Sequence, residues 1–378
     1  IQVTVKKGNL PDPEFEAAQG ATVESSVVLQ GRLFDDKRAP GGKELRASAF
    51  RVLGSAQPFP ITEYQSEELL LDQRHLWIRS REQTAVMKVK AAVMAGARDW
   101  LRENGFTEVT PPMLTQNACE GGTTLFKLNY FDREVFLSQS SQMYLEALIF
   151  SLERVYSLAP SFRAEKSRTS RHLTEFWHLE LEAAWIDYRK NMEVQEQLVT
   201  AMVKRALLDT RDELVHLRKD IGLLEAIEAP FKRMTYSQAI EKLQALGHEI
   251  TWGCDLGAPE ERAITADEVV PVFVTNFPKE CKPFYMKEDE EDPRTYACAD
   301  LLALAGFGEI IGGSEREVDL GKMLARIKEQ GLCTEAYEWY LDLRRYGSVP
   351  HSGFGLGIER VVKFLCDLEH IRDAIPFP

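Results

Sequence analysis

A chain of 378 residues, 44% hydrophobic and 28% charged, has the apolar content for a large buried core, and its length suggests two or three domains. Its net charge of -13 argues against a general polyanion binder, though an RNA partner held by a local basic groove or by stacked bases stays open. There is no apolar run long enough to span a bilayer, no signal-peptide pattern and no Cys-x-x-Cys among the six scattered cysteines, so a membrane span, a zinc site and a disulfide framework are disfavoured and a reducing, cytoplasmic setting is expected.

Residues 1–56 are strand-rich: Ile1–Val5, Ser26–Gly31 and Glu44–Leu53 read as strands, with Asp35-Asp36 and Pro40-Gly41-Gly42 supplying a turn. Such short strands fit a small barrel. Ile1 in place of Met and the apolar run Ala374–Pro378 make both ends read as clipped. Residues 57–79, with Pro58, Pro60 and an acidic stretch, read as a linker. A third region, 80–378, opens on a long helix from Ser80, with Val86, Val89, Val93 and Trp100 near one face and Gly105 at its C′ position.

Phe106–Leu114 reads as a strand whose two prolines imply an edge or an interface. Glu120-Gly121-Gly122 is a flexible loop, and Glu134–Leu137 leads into a helix that begins near Ser138–Glu146. An apolar approach, Val155–Phe162, then enters a loop bearing Arg163, Lys166, Arg168 and Arg171, and Phe176–Glu182 returns from it. On the return strand His178, Glu180 and Glu182 share one face, while Trp177, Leu179 and Leu181 share the other. Guanidinium groups beside two carboxylates suit a polyphosphate, a divalent metal and a small polar ligand, although a solvated surface hairpin would carry the same charges.

Residues 189–228 read as a polar helical insertion, with Leu198, Met202, Ala206 and Leu207 on its apolar side. Pro230–Leu246 reads as a short strand and a helix, and Val269–Met286 as two apolar strands around Asn276–Cys281. Glu309–Arg316 reads Glu-Ile-Ile-Gly-Gly-Ser-Glu-Arg, and Gly353–Arg360, Gly-Phe-Gly-Leu-Gly-Ile-Glu-Arg, enters an apolar helix. Hairpins without repeated βαβ units predict an α+β fold, an antiparallel sheet flanked by helices.

A long helix with a proline strand, an Arg-x-Glu hairpin closing in His-Leu-x-Glu-Phe, and Gly-x-Gly-x-Gly-x-Glu-Arg at a helix start stand here in order. Together they resemble motifs 1, 2 and 3 of the class II aminoacyl-tRNA synthetases, aspartyl/asparaginyl/lysyl subgroup. Glu309–Glu317, Trp339–Gly347 and Pro350–Gly357 narrow the resemblance to the asparaginyl-tRNA synthetase family. The resemblance makes the N-terminal strands part of an OB-fold anticodon-binding domain whose first strands lie outside this chain. It also implies the activation of L-asparagine by ATP, with release of pyrophosphate, and transfer to the 3′ end of tRNA(Asn).

The same resemblance implies site roles. Arg163 would bridge the amino-acid carboxylate and the α-phosphate, and Arg360 would cover the adenine or reach the γ-phosphate. Glu165 and Phe176 would hold adenine, and Arg171 and His172 the outer phosphates. Glu309, Asp300 and Glu182 would hold Mg2+. Glu120 and Gln142 would bind the α-ammonium group, Arg316 the side-chain carbonyl and Glu180 the side-chain amide. Leu145 stands where aspartyl enzymes carry a lysine. Pro112 would sit at the interface of a twofold homodimer. An aspartyl-tRNA synthetase that tolerates asparagine tRNA, a synthetase-derived asparagine-making enzyme and a non-catalytic RNA-binding paralogue remain alternatives. Leu145, the N-terminal strands and the intact motif residues respectively count against them.

Overall fold

The computed structural model describes residues 1–62, 65–116, 124–165, 169–218 and 220–378. They form two units, Ile1–Trp77 and Ile78–Pro378.

In the first unit the strand Lys43–Gly54 is central, parallel to Gln2–Thr4 and antiparallel to Ser26–Asp35. The turn between the two long strands places Gly41 and Gly42 at φ 71° and 68°, where a Cβ would be penalised. The helix Asp12–Gly20, which the strand pattern does not announce, is tied to the sheet by Glu14, whose carboxylate accepts the Phe50 N–H at 2.7 Å. Leu10, Ala47 and Phe50 form this unit's small core.

The second unit is built on an eight-stranded sheet. Its order is Lys232–Thr235, Val272–Thr275, Cys298–Ala303, Gly308–Glu315, His351–Gly357, Glu175–Ala184, Arg154–Phe162 and Thr107–Glu108. The inner strands pair antiparallel, as the hairpin pattern predicts. Each outermost strand pairs parallel to its neighbour. Parallel pairing needs a crossover, and the chain supplies one at one edge through the helices Tyr236–Ala245 and Ala258–Thr265.

Helix Arg81–Glu103 starts where Ser80 Oγ accepts the Gln83 N–H, and it ends at Gly105, φ 78°. Its Val86, Val89 and Val93 are fully buried against Leu198, Met202 and the inner face of the sheet. Helix Tyr188–Asp209 therefore belongs to the main core and does not stand apart from it as an insertion would. The two helices approach so closely that a Cβ on Gly96 would lie 2.7 Å from Arg205 Cβ.

Proline changes two expected strands. The segment from Phe106 to Leu114 pairs with the main sheet only at Thr107–Glu108, and Leu114–Thr115 joins a separate three-stranded sheet. Pro111 and Pro112, lacking N–H donors, break the ladder between them. Val269–Met286 contains the strand Val272–Thr275, but Pro278 and Pro283 bracket a 3-10 turn where a second strand is expected. Phe277, Phe284, Tyr285 and Met286 fill a core cluster there, and Met286 makes an isolated bridge to Arg316.

Candidate active site

The hairpin strands Glu175–Ala184 and Arg154–Phe162 are the sixth and seventh of the large sheet's eight strands, next to the short edge strand Thr107–Glu108. The return strand alternates as its sequence predicts, yet both faces are buried from His178 to Glu182. Leu179 and Leu181 pack into the main core, while Glu180 and Glu182 face a polar network. Beside this strand runs His351–Gly357, whose Gly353, Gly355 and Gly357 recur at the strand period of two. A Cβ on Gly355 would lie 2.4 Å from His178 Nε2, and one on Gly353 only 2.0 Å from Glu182 Oε1. These glycines leave room for side chains that reach across from the return strand.

At the loop end of the hairpin a cleft of about 640 Å³ is lined by Arg163, Glu165, Arg171, His172, Phe176, His178, Glu309 and Arg360, among others. The Arg163 guanidinium stacks 5.3 Å from the Phe176 ring centroid. Arg171 is bonded to Glu261 on helix Ala258–Thr265, and Glu261 also accepts the Glu309 N–H at 3.1 Å. Gly308, φ 77°, passes beside this pair, where a Cβ would meet Arg171 Nη2 at 2.2 Å. Arg360, on helix Ile358–Cys366, donates to the Glu309 carbonyl at 3.0 Å and lies 3.4 Å from its carboxylate. Burial favours the neutral Glu309 carboxyl, but Arg360, Lys282, Arg163 and Arg171 outweigh it and hold the pKa below its ordinary value. Behind the cleft, Glu359 pairs with Lys90 of the long helix at 2.6 Å and accepts the Trp177 N–H at 2.9 Å.

Asp300 approaches Glu309 from the neighbouring strand. A Cβ on Gly312 would lie 3.4 Å from both carboxylates, so glycine leaves an acid-lined notch between them. Lys282 reaches Asp300 at 2.5 Å. Burial lifts the Asp300 pKa to about 6, partly opposed by Lys282. Glu182 does not join this notch, and the expectation that it shares a metal with them is corrected. It stands three strands across the sheet from Asp300, roughly 14 Å at ordinary strand spacing, and is bound to Arg316.

A second polar cluster on the sheet is a buried charge network. Arg316 Nε lies 3.1 Å from Glu182, its Nη2 bonds the same carboxylate, and its Nη1 donates to Ser314 Oγ at 2.8 Å. Burial pushes the Glu182 carboxyl up to about 7, against the pull of Arg316. Glu180 accepts from the Ser140 hydroxyl and, at 2.6 Å, from the Ser141 N–H, so the return strand caps the helix Gln142–Leu152. Gln142 Nε2 donates to Glu146 at 3.0 Å. Glu146, fully buried, also takes Tyr340 at 2.8 Å, Arg344 at 2.7 Å and His351 at 3.0 Å. Burial opposes its charge, but Arg344 and His351 prevail and hold its pKa well below the ordinary value.

Leu145 sits in an apolar cluster with Ile149, Val155 and Ala184. Pro112 is exposed. Glu120, Lys166 and Arg168 lie outside the described residues. The sequence reading missed Glu261, Lys282, Lys90 and the network around Glu146. Only Glu146 had a local signal, standing one helical turn after Gln142. Glu261, Lys282, Arg344 and His351 come from distant segments that only the sheet brings together.

Residues 66–378 match the family model for class II tRNA synthetases (D, K and N). The asparagine–tRNA ligase of Thermococcus gammatolerans is 53% identical over 378 residues, spanning 100% of this chain and 88% of that protein. The crystal structure of asparaginyl-tRNA synthetase from Pyrococcus horikoshii complexed with asparaginyl-adenylate superposes with a TM-score of 0.96 at 53% identity, covering 100% of this chain and 88% of that one. The Entamoeba histolytica asparaginyl-tRNA synthetase gives a TM-score of 0.90 at 32% identity, over 100% and 88% of the two chains. With its motif residues gathered on one sheet and its whole length matched at this identity, the chain belongs to the class II tRNA synthetases and, within them, to the asparagine–tRNA ligase family.

Proposed function

We propose that this chain activates L-asparagine with ATP to asparaginyl-adenylate and pyrophosphate, then transfers asparagine to the 3′ end of tRNA(Asn). The observation that carries this reading is a cationic cleft lined by Arg163, Phe176, His178, Glu309 and Arg360 on the same sheet as the buried polar network of Glu180, Glu182 and Arg316.

Arg163 bridges the asparagine carboxylate and the α-phosphate, stabilising charge and aligning the attack. Phe176 and Arg360 sandwich the adenine, Glu165 accepts from its amino group, and Arg171 and His172 hold the outer phosphates. Support comes from the Arg171–Glu261 pair, which aims the guanidinium along the cleft wall. Magnesium fits Asp300 and Glu309, because two carboxylates beside a glycine notch, completed by phosphate oxygens, suit this hard cation. When bound, the metal neutralises phosphate charge and orients the triphosphate.

Gln142, its amide hydrogens turned to Glu146, offers its carbonyl oxygen to the α-ammonium group, with Glu120 as a second anion. Arg316 retains N–H groups beyond those bound to Glu182 and Ser314 for the side-chain carbonyl, and Glu180 has further lone pairs for the side-chain amide. Among the described residues, Leu145 packs with Ile149, Val155 and Ala184 and brings no cation of its own to an aspartate side chain, which disfavours the aspartyl reading. Residues 1–56 would serve as part of an OB-fold for the anticodon, and exposed Pro112 would lie at a twofold homodimer interface in a cytoplasmic enzyme.

Pyrophosphate exchange, comparing asparagine with aspartate, tests the reading. Exchange with asparagine at about 100-fold or more over aspartate is expected. Exchange with aspartate in preference, or with neither amino acid, overturns it.

A further inference from the structure

Lys282 has no part in the roles above, yet it occupies the acid-lined notch. It lies between the strands Val272–Thr275 and Cys298–Ala303, just before Pro283. Its ammonium is 2.5 Å from Asp300 Oδ2 and 4.0 Å from the Phe277 ring centroid, a second electron-rich partner. Glu309 also acts on it electrostatically. Its side chain is only 14% exposed, so this ion pair is shielded from solvent.

Charge balance gives the arrangement its meaning. Asp300, Glu309 and Glu261 meet Lys282, Arg360 and Arg171. Arg163 also acts on Glu309, so the notch carries no excess negative charge before any metal arrives. A bare divalent ion entering it finds no net attraction and must separate a shielded ammonium from its carboxylate. A metal carried on a triphosphate brings its own negative charge and meets no such barrier.

We propose that Lys282 is the resident cation of the Asp300–Glu309 notch. It holds Asp300 while the nucleotide is absent, keeps bare divalent ions out, and releases Asp300 when the metal arrives on the triphosphate. The proposal rests on Asp300 and Glu309 as the metal carboxylates. Metal binding is then coupled to nucleotide binding by a side chain of the protein itself.

Titration with Mn2+, read by the electron paramagnetic resonance signal of the free ion, tests this without turnover. Wild-type protein without nucleotide should bind Mn2+ weakly. Lys282→Met should bind it at least roughly tenfold more tightly, because the competing charge is gone. Lys282→Gln should change in the same direction, and Lys282→Arg should stay weak. Adding Asp300→Asn to Lys282→Met should abolish the gain. No tightening in either folded neutral variant, or a gain that survives Asp300→Asn, overturns the proposal. The underlying metal assignment has its own control, since Mn2+ binding with a non-hydrolysable ATP analogue should weaken in Glu309→Gln. Loss of that dependence defeats the metal assignment and the proposal with it. If the dependence holds while Lys282→Met gains nothing, only the role of Lys282 falls.

Discussion

In the buried network the Arg316 and Glu182 side chains are 3% and 1% exposed, whereas in the cleft Arg360 and Glu309 keep 26% and 34% of their surface and stand 3.4 Å apart. The first pair is closed into a buried network. The second is loose and faces an open cleft. A pocket for a small zwitterion gains discrimination from donors and acceptors fixed before the ligand arrives, since a wrong ligand then leaves buried groups unpaired. A cleft for a triphosphate instead needs cations that can exchange partners, because the incoming charge is large and brings its own metal. The same residue types thus do different work, and burial decides which.

The largest expected effect tests the open side. Arg163→Ala should lower the rate of pyrophosphate exchange by about 1,000-fold, the scale of losing one group aimed at developing charge. Near-normal exchange in that variant would remove Arg163 from the chemistry. The contrast in burial comes next. Glu182→Ala strands the Arg316 charge and should cost about 3–5 kcal/mol in denaturant unfolding. Glu309→Ala should cost clearly less, and an equal cost for both would break the comparison.

Glu146 sharpens the contrast through pH. Its carboxyl titrates lower in the folded protein than its ordinary 4.5, mainly because Arg344 and His351 overcome burial. A depressed folded pKa means that the stabilisation is fully present above pH 4.5 and is lost as the pH falls toward the folded value. The gap in thermal stability between wild type and Glu146→Gln should therefore narrow below that pH, and a gap that stays constant would deny Glu146 this role. The smallest effect is expected at Glu261→Gln, which loosens Arg171. The KM for ATP should rise about tenfold, the worth of one charged hydrogen bond, while the KM for asparagine stays level. A shift in both constants would show that the two halves are not separable.

How much was legible beforehand varied with the range of the interactions. The hairpin strands and the long helix announce themselves through local periodicity and punctuation, and they fall where expected, whereas the glycine strand His351–Gly357 reads in sequence only as the entry to a helix. The helix Asp12–Gly20 escaped notice because a short helix beside strand-like neighbours carries little local signal. Helix Tyr188–Asp209 reads as peripheral because many of its buried positions are polar, Asn191 and Gln195 among them. Asn191 in fact donates to the Gly353 carbonyl at 2.9 Å, holding the glycine strand from its far side. A buried amide with a backbone partner looks like a surface residue until that partner is known.

Sequence alone singled out Arg163, Phe176, Glu309 and Arg360 by their motifs, and the fold brings all four to one cleft. Sequence also placed His178, Glu180 and Glu182 on one face of the return strand, since strand alternation needs no tertiary information. The tertiary structure decided the partners. Glu182 pairs with Arg316, Asp300 with Lys282, and Leu145 packs in an apolar cluster. Those outcomes depend on strand order and on how deeply each charge is buried. Both arise only when segments more than a hundred residues apart, such as Glu182 and Arg316, close into one sheet.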